Sequence, residues 1–562
     1  MRYLVPLLLA VVLLSAAVAD QAPLALSKCL FAVKLTNPDR IFTQFAPVLD
    51  QIDTLADIAK PGNGKISGNI AQAVKNLEMM PGVNAGGDFW ELMLPPSPPA
   101  AGDPTKTAPL EIYVLLPLTN KALMQNAVKT TWPANLQNIV QLFDNFAVFS
   151  ADPSTPPPNF SKIVFDQPLS SKRDIVIISN NGGKPMPTIP SSDLMTIMSF
   201  FGPIYAMGNK LQQHLPHLPS AEIGVAMVNG NVCCESFATP APDSAVAQQL
   251  AAPRPTDIAG QLAGYLPDNL SLCVASGPSL LGMPGAGALG QSLMDQLTTS
   301  INSRFGHSTL NEKWAALTAL CSHGYALGIT SPAADQPTPP ACLLGIMQTD
   351  APDALKDAVT ALFTEAGASR DSLWDGLLSN VLSCESKAAA EMDGDVPVDL
   401  VTITLGASIL DAVNPGAAQA NKPYSLACRF AYLPDKCLFA IGEDSQAQMA
   451  AMITRIQQQK TGFTASRRFA ALKALMPDHP LAFGSIAPAE LLRAVVTALP
   501  DSLAVKESTL NWLKDYPYIS QAIFYHLETS DGKLHSDTVF SKAQLTLLFT
   551  ALGKAATQLK GM

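Results

Sequence analysis

One short phrase recurs along this 562-residue chain, and it constrains the fold more than any other feature. It consists of a polar lead, an alternating apolar run, a turn, and a stretch with apolar residues three and four apart. Lys28–Val33 reads KCLFAV and Lys436–Ile441 reads KCLFAI, while Leu266–Asp268, Leu433–Asp435 and Met476–Asp478 supply a Leu-Pro-Asp or Met-Pro-Asp lead. Period-two alternation marks a half-buried strand, and 3/4 spacing marks the face of a helix. Each copy therefore predicts a strand that turns into a helix covering it. Repetition of such a unit implies a chain assembled by internal duplication. The phrase carries no catalytic pattern.

The intervening segments extend this grammar. Leu110–Leu118 precedes a helical pattern over Lys121–Lys129, and Cys342–Gln348 precedes one over Pro352–Phe363. Val398–Leu405 alternates as a strand, and Gln446–Gln459 and Ala489–Leu499 read as helices. Asn229-Gly230 joins Glu222–Val228 to Asn231–Phe237, and Asp531-Gly532 joins Ile519–Thr529 to Lys533–Phe540. Such dipeptides predict two-residue hairpins, because a type I′ turn needs positive φ at both central residues. Hairpins are frequent and no long parallel series appears. The expected class is α+β: largely antiparallel sheets, covered on one face by helices, in two related halves.

Proline-rich segments punctuate the chain at Pro95–Pro109, Pro153–Asn159, Lys184–Pro190, Pro240–Pro255 and Pro332–Pro340. Pro240–Pro255 is the preferred boundary, which gives a first half over residues 20–255 and a second over 256–562. Residues 1–19 are expected to be an export signal: Arg2, an apolar core from Leu4, and Ala17-Val18-Ala19 before Asp20 place cleavage near Ala19. The longest later apolar stretch, Leu194–Met207, is interrupted by Gly202-Pro203 and falls short of the about 20 residues needed to span a bilayer. No transmembrane span is expected in the mature chain. With its export segment, Leu-Pro-Asp phrases and hairpin-closed halves, the chain resembles exported bacterial proteins of unknown function built from repeated strand–helix units. That resemblance covers layout and implies no functional residue.

Composition excludes one partner class. Charged residues make up 15% of the chain, hydrophobic ones 48%, and the net charge is −10. Nucleic-acid affinity rests on Lys and Arg neutralising phosphates, and no basic stripe offsets the acidic balance. The nine cysteines leave at least one thiol unpaired in a monomer. Cys29, Cys273, Cys342, Cys428 and Cys437 sit in apolar runs and are expected to be reduced core residues. The vicinal pair Cys233-Cys234 is expected to place one side chain in the core and one outward.

Chemical motifs fail on their own terms. Gly285–Gly290 matches G-x-G-x-x-G, but Pro284 and a gap separate it from the preceding strand, so it reads as a loop and no dinucleotide is expected. In His214-Leu215-Pro216-His217 the proline breaks the helix that would aim both imidazoles together, and Cys321-Ser322-His323 has no second ligand pair. Neither an H-E-x-x-H nor a G-x-S-x-G motif occurs. One polar cluster has a geometry derivable from sequence. A two-residue turn at Asp531-Gly532 sets Glu528 opposite His535 and His526 opposite Asp537, all four on one face. Such a face could hold a divalent metal or serve acid–base chemistry; as cross-strand pairs it reads as a solvated surface.

No catalytic, cofactor-binding or metal-ligating residue is assigned from sequence, and no cofactor is expected. The expected role is an exported, non-catalytic binding or structural protein of the cell envelope, its partner a protein or an apolar ligand. The alternatives are an extracytoplasmic hydrolase whose site is assembled from distant residues, and membrane-surface association through Leu194–Met207.

Overall fold

The computed structural model describes residues 24–46, 79–95, 111–132, 139–150, 163–165, 169–180, 220–242, 257–277, 323–330, 341–368, 381–405, 424–478, 480–498 and 522–541, with scattered positions between. The export segment, most of the proline-rich segments, Leu194–Met207 and Gly285–Gly290 lie outside them. No described helix is long and apolar enough to cross a membrane. The chain divides into two units. One comprises residues 1–229, 234–241 and 556–562; the other comprises 230–233 and 242–555.

Strands of the first unit are β1 (Leu24–Ala25), β2 (Phe31–Thr36), β3 (Asp88–Leu94), β4 (Glu111–Pro117), β5 (Val140–Leu142), β6 (Phe146–Ser150), β7 (Ile163–Val164), β8 (Ile175–Ser179) and β9 (Ser220–Val228). Strand β10 (Asn231–Thr239) follows the Asn229-Gly230 turn. Apart from a two-residue parallel bridge between β1 and β7, every pairing is antiparallel, in the order β5-β6-β4-β3-β2-β8-β9. The KCLFAV phrase is displaced from its expected strand: Leu26–Lys28 forms a 3-10 turn, and β2 starts at Phe31.

Both faces of this sheet are out of water. Phe31, Val33, Leu35, Phe89, Met93, Ile112 and Leu116 pack on one side beneath helix α1 (Lys121–Thr131) through Met124 and Val128. Asn120 caps α1 by accepting from the Leu123 amide at 3.0 Å. Ala32, Trp90, Leu92, Tyr113, Leu115, Val176 and Ile178 pack on the other side with Leu26 and Cys29. Among the described residues the helix covers one face, as expected, and the other face is packed without an α-helix. A strand buried on both sides carries no polar stripe, which is why IVIIS and DFWELML show no clean alternation.

The second unit holds β11 (Leu270–Ser276), β12 (Tyr325–Thr330), β13 (Leu343–Gln348), β14 (Val381–Asp393), β15 (Val396–Leu405), β16 (Tyr424–Leu433), β17 (Lys436–Ile441), β18 (Ala482–Ile486), β19 (Ile523–Ser530) and β20 (Lys533–Phe540). These strands pair antiparallel in the order β20-β19-β18-β11-β12-β13-β17-β16-β15-β14. Its helices are α2 (Ile258–Gly264), α3 (Pro352–Ala368), α4 (Ser445–Gln457), α5 (Arg467–Lys473) and α6 (Pro488–Ala498). Leu262 of α2, Met449, Met452 and Ile453 of α4 and Leu472 of α5 join one apolar cluster with Cys273, Leu344, Ile346, Leu438 and Phe483. Leu355 and Val359 of α3 join another with Val401, Cys428, Phe430 and Cys437. On β15–β17, the residues of these two clusters alternate along the strands, so helices lie on both faces here. The helix expected over Pro352–Phe363 runs on to Ala368, and KCLFAI is a strand over its whole length.

The two pairing schemes share an order. In the first unit β2 lies between β3 and β8, β3 continues to β4 and β6, and β8 continues to β9. In the second, β11 lies between β12 and β18, β12 continues to β13 and β17, and β18 continues to β19.

One carboxyl lies inside the first sheet. Glu91 stands between Val33 and Val114 on neighbouring strands, is 4% exposed, and has no partner for Oε2. Burial raises its pKa from 4.5 to about 8, since charge is costly where water cannot reach. The folded value lies above the unfolded one, so the associated stability is complete below pH 4.5 and is lost as pH rises through 8. Glu91→Gln should therefore leave the melting temperature near wild type at pH 4. At pH 9 it should raise stability by several kcal/mol, at about 1.4 kcal/mol per pH unit in between. Thermal unfolding followed across this range checks it; a gap independent of pH would contradict it.

Candidate metal centre

Strands β19 and β20 form the terminal hairpin of the second unit, and its register follows from one turn. Asp531 and Gly532 have φ of +50° and +73°, the left-handed conformations of a type I′ turn that matches the twist of the flanking strands. Ser530 then faces Lys533, Glu528 faces His535, and His526 faces Asp537. This is the register expected from the Asp-Gly signal. The hairpin begins at Ile523, and residues 519–521 lie outside the described residues.

The four side chains converge. His535 Nδ1 lies 2.7 Å from Glu528 Oε1, and His535 Nε2 lies 3.4 Å from Asp537 Oδ2. His526 Nε2 lies 3.8 Å from Asp537 Oδ2 and 3.9 Å from Glu528 Oε1. The two imidazole rings stand edge to face, 6.1 Å apart at 89°. One donor atom each from His526, His535 and Asp537 falls within 4.8 Å of the others.

Burial corrects the reading of a solvated face. His526 is 4% exposed, and the other three side chains are largely covered. The neighbouring strand explains it. His526 sits directly across from Phe483 on β18, and Phe483 packs edge-on against Phe469 of α5 with centroids 5.6 Å apart. The even-numbered positions of β19 thus point to a helix-covered side, where Phe524 joins the core. On the opposite side the Tyr525 ring lies over Gly484, where any Cβ would collide with it. Desolvation pushes the His526 imidazole below its ordinary value, opposed by Asp537 and Glu528 and assisted by His535. A neutral ring keeps a lone pair for hydrogen bonding or metal ligation.

Among the described residues, no other group of histidines, cysteines and carboxylates forms such a cluster. His214, His217 and Cys321 lie outside the described residues, and His323 is a surface residue 3.8 Å from Asp350. Cys29, Cys273, Cys342, Cys428 and Cys437 are all buried, as expected. Burial pushes the thiols of Cys342 and Cys428 up to about 12, which suppresses the reactive thiolate. Cys233 and Cys234 are both half-buried, against the expectation of one core and one outward residue. Sequence reasoning misses Glu91 together with the strand that carries it; a carboxyl bracketed by Phe, Trp, Leu and Met is the available signal.

No protein family, curated protein or solved structure matches this chain. The functional reading of the cluster therefore rests on its own chemistry. Its register hangs on the turn, so Gly532→Ala, which places a Cβ at positive φ, should destabilise the protein by about 1 kcal/mol. Asp531→Asn, which keeps a residue tolerant of that region, should change stability by less than about 0.5 kcal/mol. Denaturant titration of the two variants checks the contrast.

Proposed function

We propose that this chain is an exported, non-catalytic binding or structural protein of the cell envelope, built from a duplicated α+β module. The observation that carries the reading is the strand order common to the two units, in which β2, β3, β4, β6, β8 and β9 correspond to β11, β12, β13, β17, β18 and β19. In each unit a helix also follows the third of these strands, α1 after β4 and α3 after β13. The second unit adds the long β14–β15 hairpin between corresponding elements, as an elaborated copy would. A chain that invests its length in repeating a scaffold presents surfaces, and its partner is a protein or an apolar ligand held by one of them.

Export is carried by the N-terminal sequence: a basic residue, a short apolar core, and small residues before Asp20. The hydrolase reading draws on one observation, the placing of His526 beside Asp537, and it requires a nucleophile or activated water within reach of that pair.

Expression of the full chain in a bacterium, followed by fractionation and N-terminal sequencing, tests the assignment. The expected product is an extracytoplasmic protein beginning at Asp20. Retention of residues 1–19 on a cytoplasmic protein would sink the export reading. Purified protein should not turn over chromogenic ester, phosphoester, glycoside or peptide substrates; turnover abolished by Asp537→Asn in a variant that keeps the parent's circular dichroism would establish the hydrolase instead.

A further inference from the structure

The geometry of the terminal hairpin points to a binding site for a divalent transition-metal ion of the zinc class, ligated by His526, His535 and Asp537 and oriented by Glu528. The inference stands on side-chain positions within one hairpin and is independent of the export reading.

Three features specify the ion. The first is the donor set. Two imidazole nitrogens and one carboxylate oxygen suit zinc and its first-row neighbours, whereas magnesium and calcium prefer all-oxygen shells. The second is spacing. Metal–ligand distances of about 2.0–2.1 Å place tetrahedral donors about 3.3 Å from one another. The donors here stand 3.4 Å and 3.8 Å from Asp537 Oδ2, and none of the three pairs exceeds 4.8 Å. The third is the outer contact. His535 meets Glu528 through Nδ1 at 2.7 Å, on the ring edge opposite the Nε2 that approaches Asp537. A carboxylate that accepts from the far nitrogen of a ligating histidine fixes its tautomer and raises its basicity, the recurrent arrangement around protein-bound zinc.

The hairpin supplies what such a site needs mechanically. His526 and Glu528 lie two apart on β19, and His535 and Asp537 lie two apart on β20, so alternation sends all four to one face. Ligands on both strands make the ion a clasp across the hairpin. Three protein ligands leave a fourth position for water or a ligand group. Burial of His526 on the side that carries Phe483 and Phe524 keeps water from one end of the cluster, which strengthens electrostatic interactions there.

The test uses the purified full chain, stripped with chelator and titrated with Zn2+ by calorimetry, then with Co2+ as a spectroscopic stand-in. The expected result is one Zn2+ at this site, unaffected by excess Mg2+, with a Co2+ visible spectrum of four- or five-coordinate nitrogen and oxygen ligation. His535→Gln and Asp537→Asn should each weaken binding at least 100-fold while retaining the far-ultraviolet circular dichroism of the parent. Glu528→Gln should weaken it about 10- to 100-fold and leave the Co2+ spectrum unchanged in form, because Glu528 acts through His535. His526→Ala is the less informative variant, since removing a buried ring can unfold the unit. Three results overturn the assignment: no Zn2+ retained at micromolar concentration, affinity unchanged in both His535→Gln and Asp537→Asn, or a thiolate-to-cobalt charge-transfer band that places the ion on cysteine.

Discussion

The antiparallel backbone ladder is the interaction on which the rest of this structure depends. Apart from the two-residue β1–β7 bridge, each strand pairing set out above is antiparallel, and each satisfies buried N–H and C=O groups that the surrounding apolar side chains could not. The ladder also fixes direction: successive side chains must leave on opposite faces. Along β3, β4, β8 and β11 both sets of side chains are accommodated away from water, whereas Glu385–Ala390 of β14 are exposed. That two-sided burial sets the composition, rich in aliphatic residues and poor in charge.

Polar residues inside such a sheet are tolerated where a partner is built in. Arg429 on β16 is 9% exposed, and its Nε and Nη2 meet the two Glu391 oxygens at 2.8 Å each, which holds the Glu391 carboxyl below its usual range. Arg468 of α5 clasps the buried Glu490 of α6 through Nη2, which reaches both carboxylate oxygens at 2.8 Å and 2.7 Å. These pairs tie strands and helices together and look inward. The His526–Asp537 cluster differs in kind. It gathers two imidazoles and one carboxylate whose donor atoms lie within 4.8 Å of one another, with a second carboxylate against one of the rings. Glu91 is the opposite case, a carboxyl that burial keeps protonated near neutrality.

The repeated phrase is local grammar. Its copies contribute β2, β11, β17 and β18: β2 and β11 hold corresponding places in their pairing orders, whereas β17 and β18 each hold a different one. A strand followed directly by a helix forms at two of the copies, β17 with α4 and β18 with α6. The longer period, visible in which strand pairs with which, leaves little trace in the letters, because pairing depends on contacts between residues far apart in sequence. Strands β3 and β8 are illegible for a related reason: with five and four buried positions respectively, they lack the alternation that announces a half-exposed strand.

Sequence by itself determined the antiparallel character of the chain, several strand and helix spans, and the register of the terminal hairpin. The physical reason is that these are local quantities: Asp531-Gly532 dictates the turn, the turn dictates the register, and the register puts His526, Glu528, His535 and Asp537 on one face. Only the tertiary structure decided that His526 is buried on this face and that the other three side chains are partly covered. The cover comes from Phe483 on a neighbouring strand and Phe469 on a helix, both more than forty residues away along the chain. Alternation can state which side chains share a side; what covers that side is set by non-local packing.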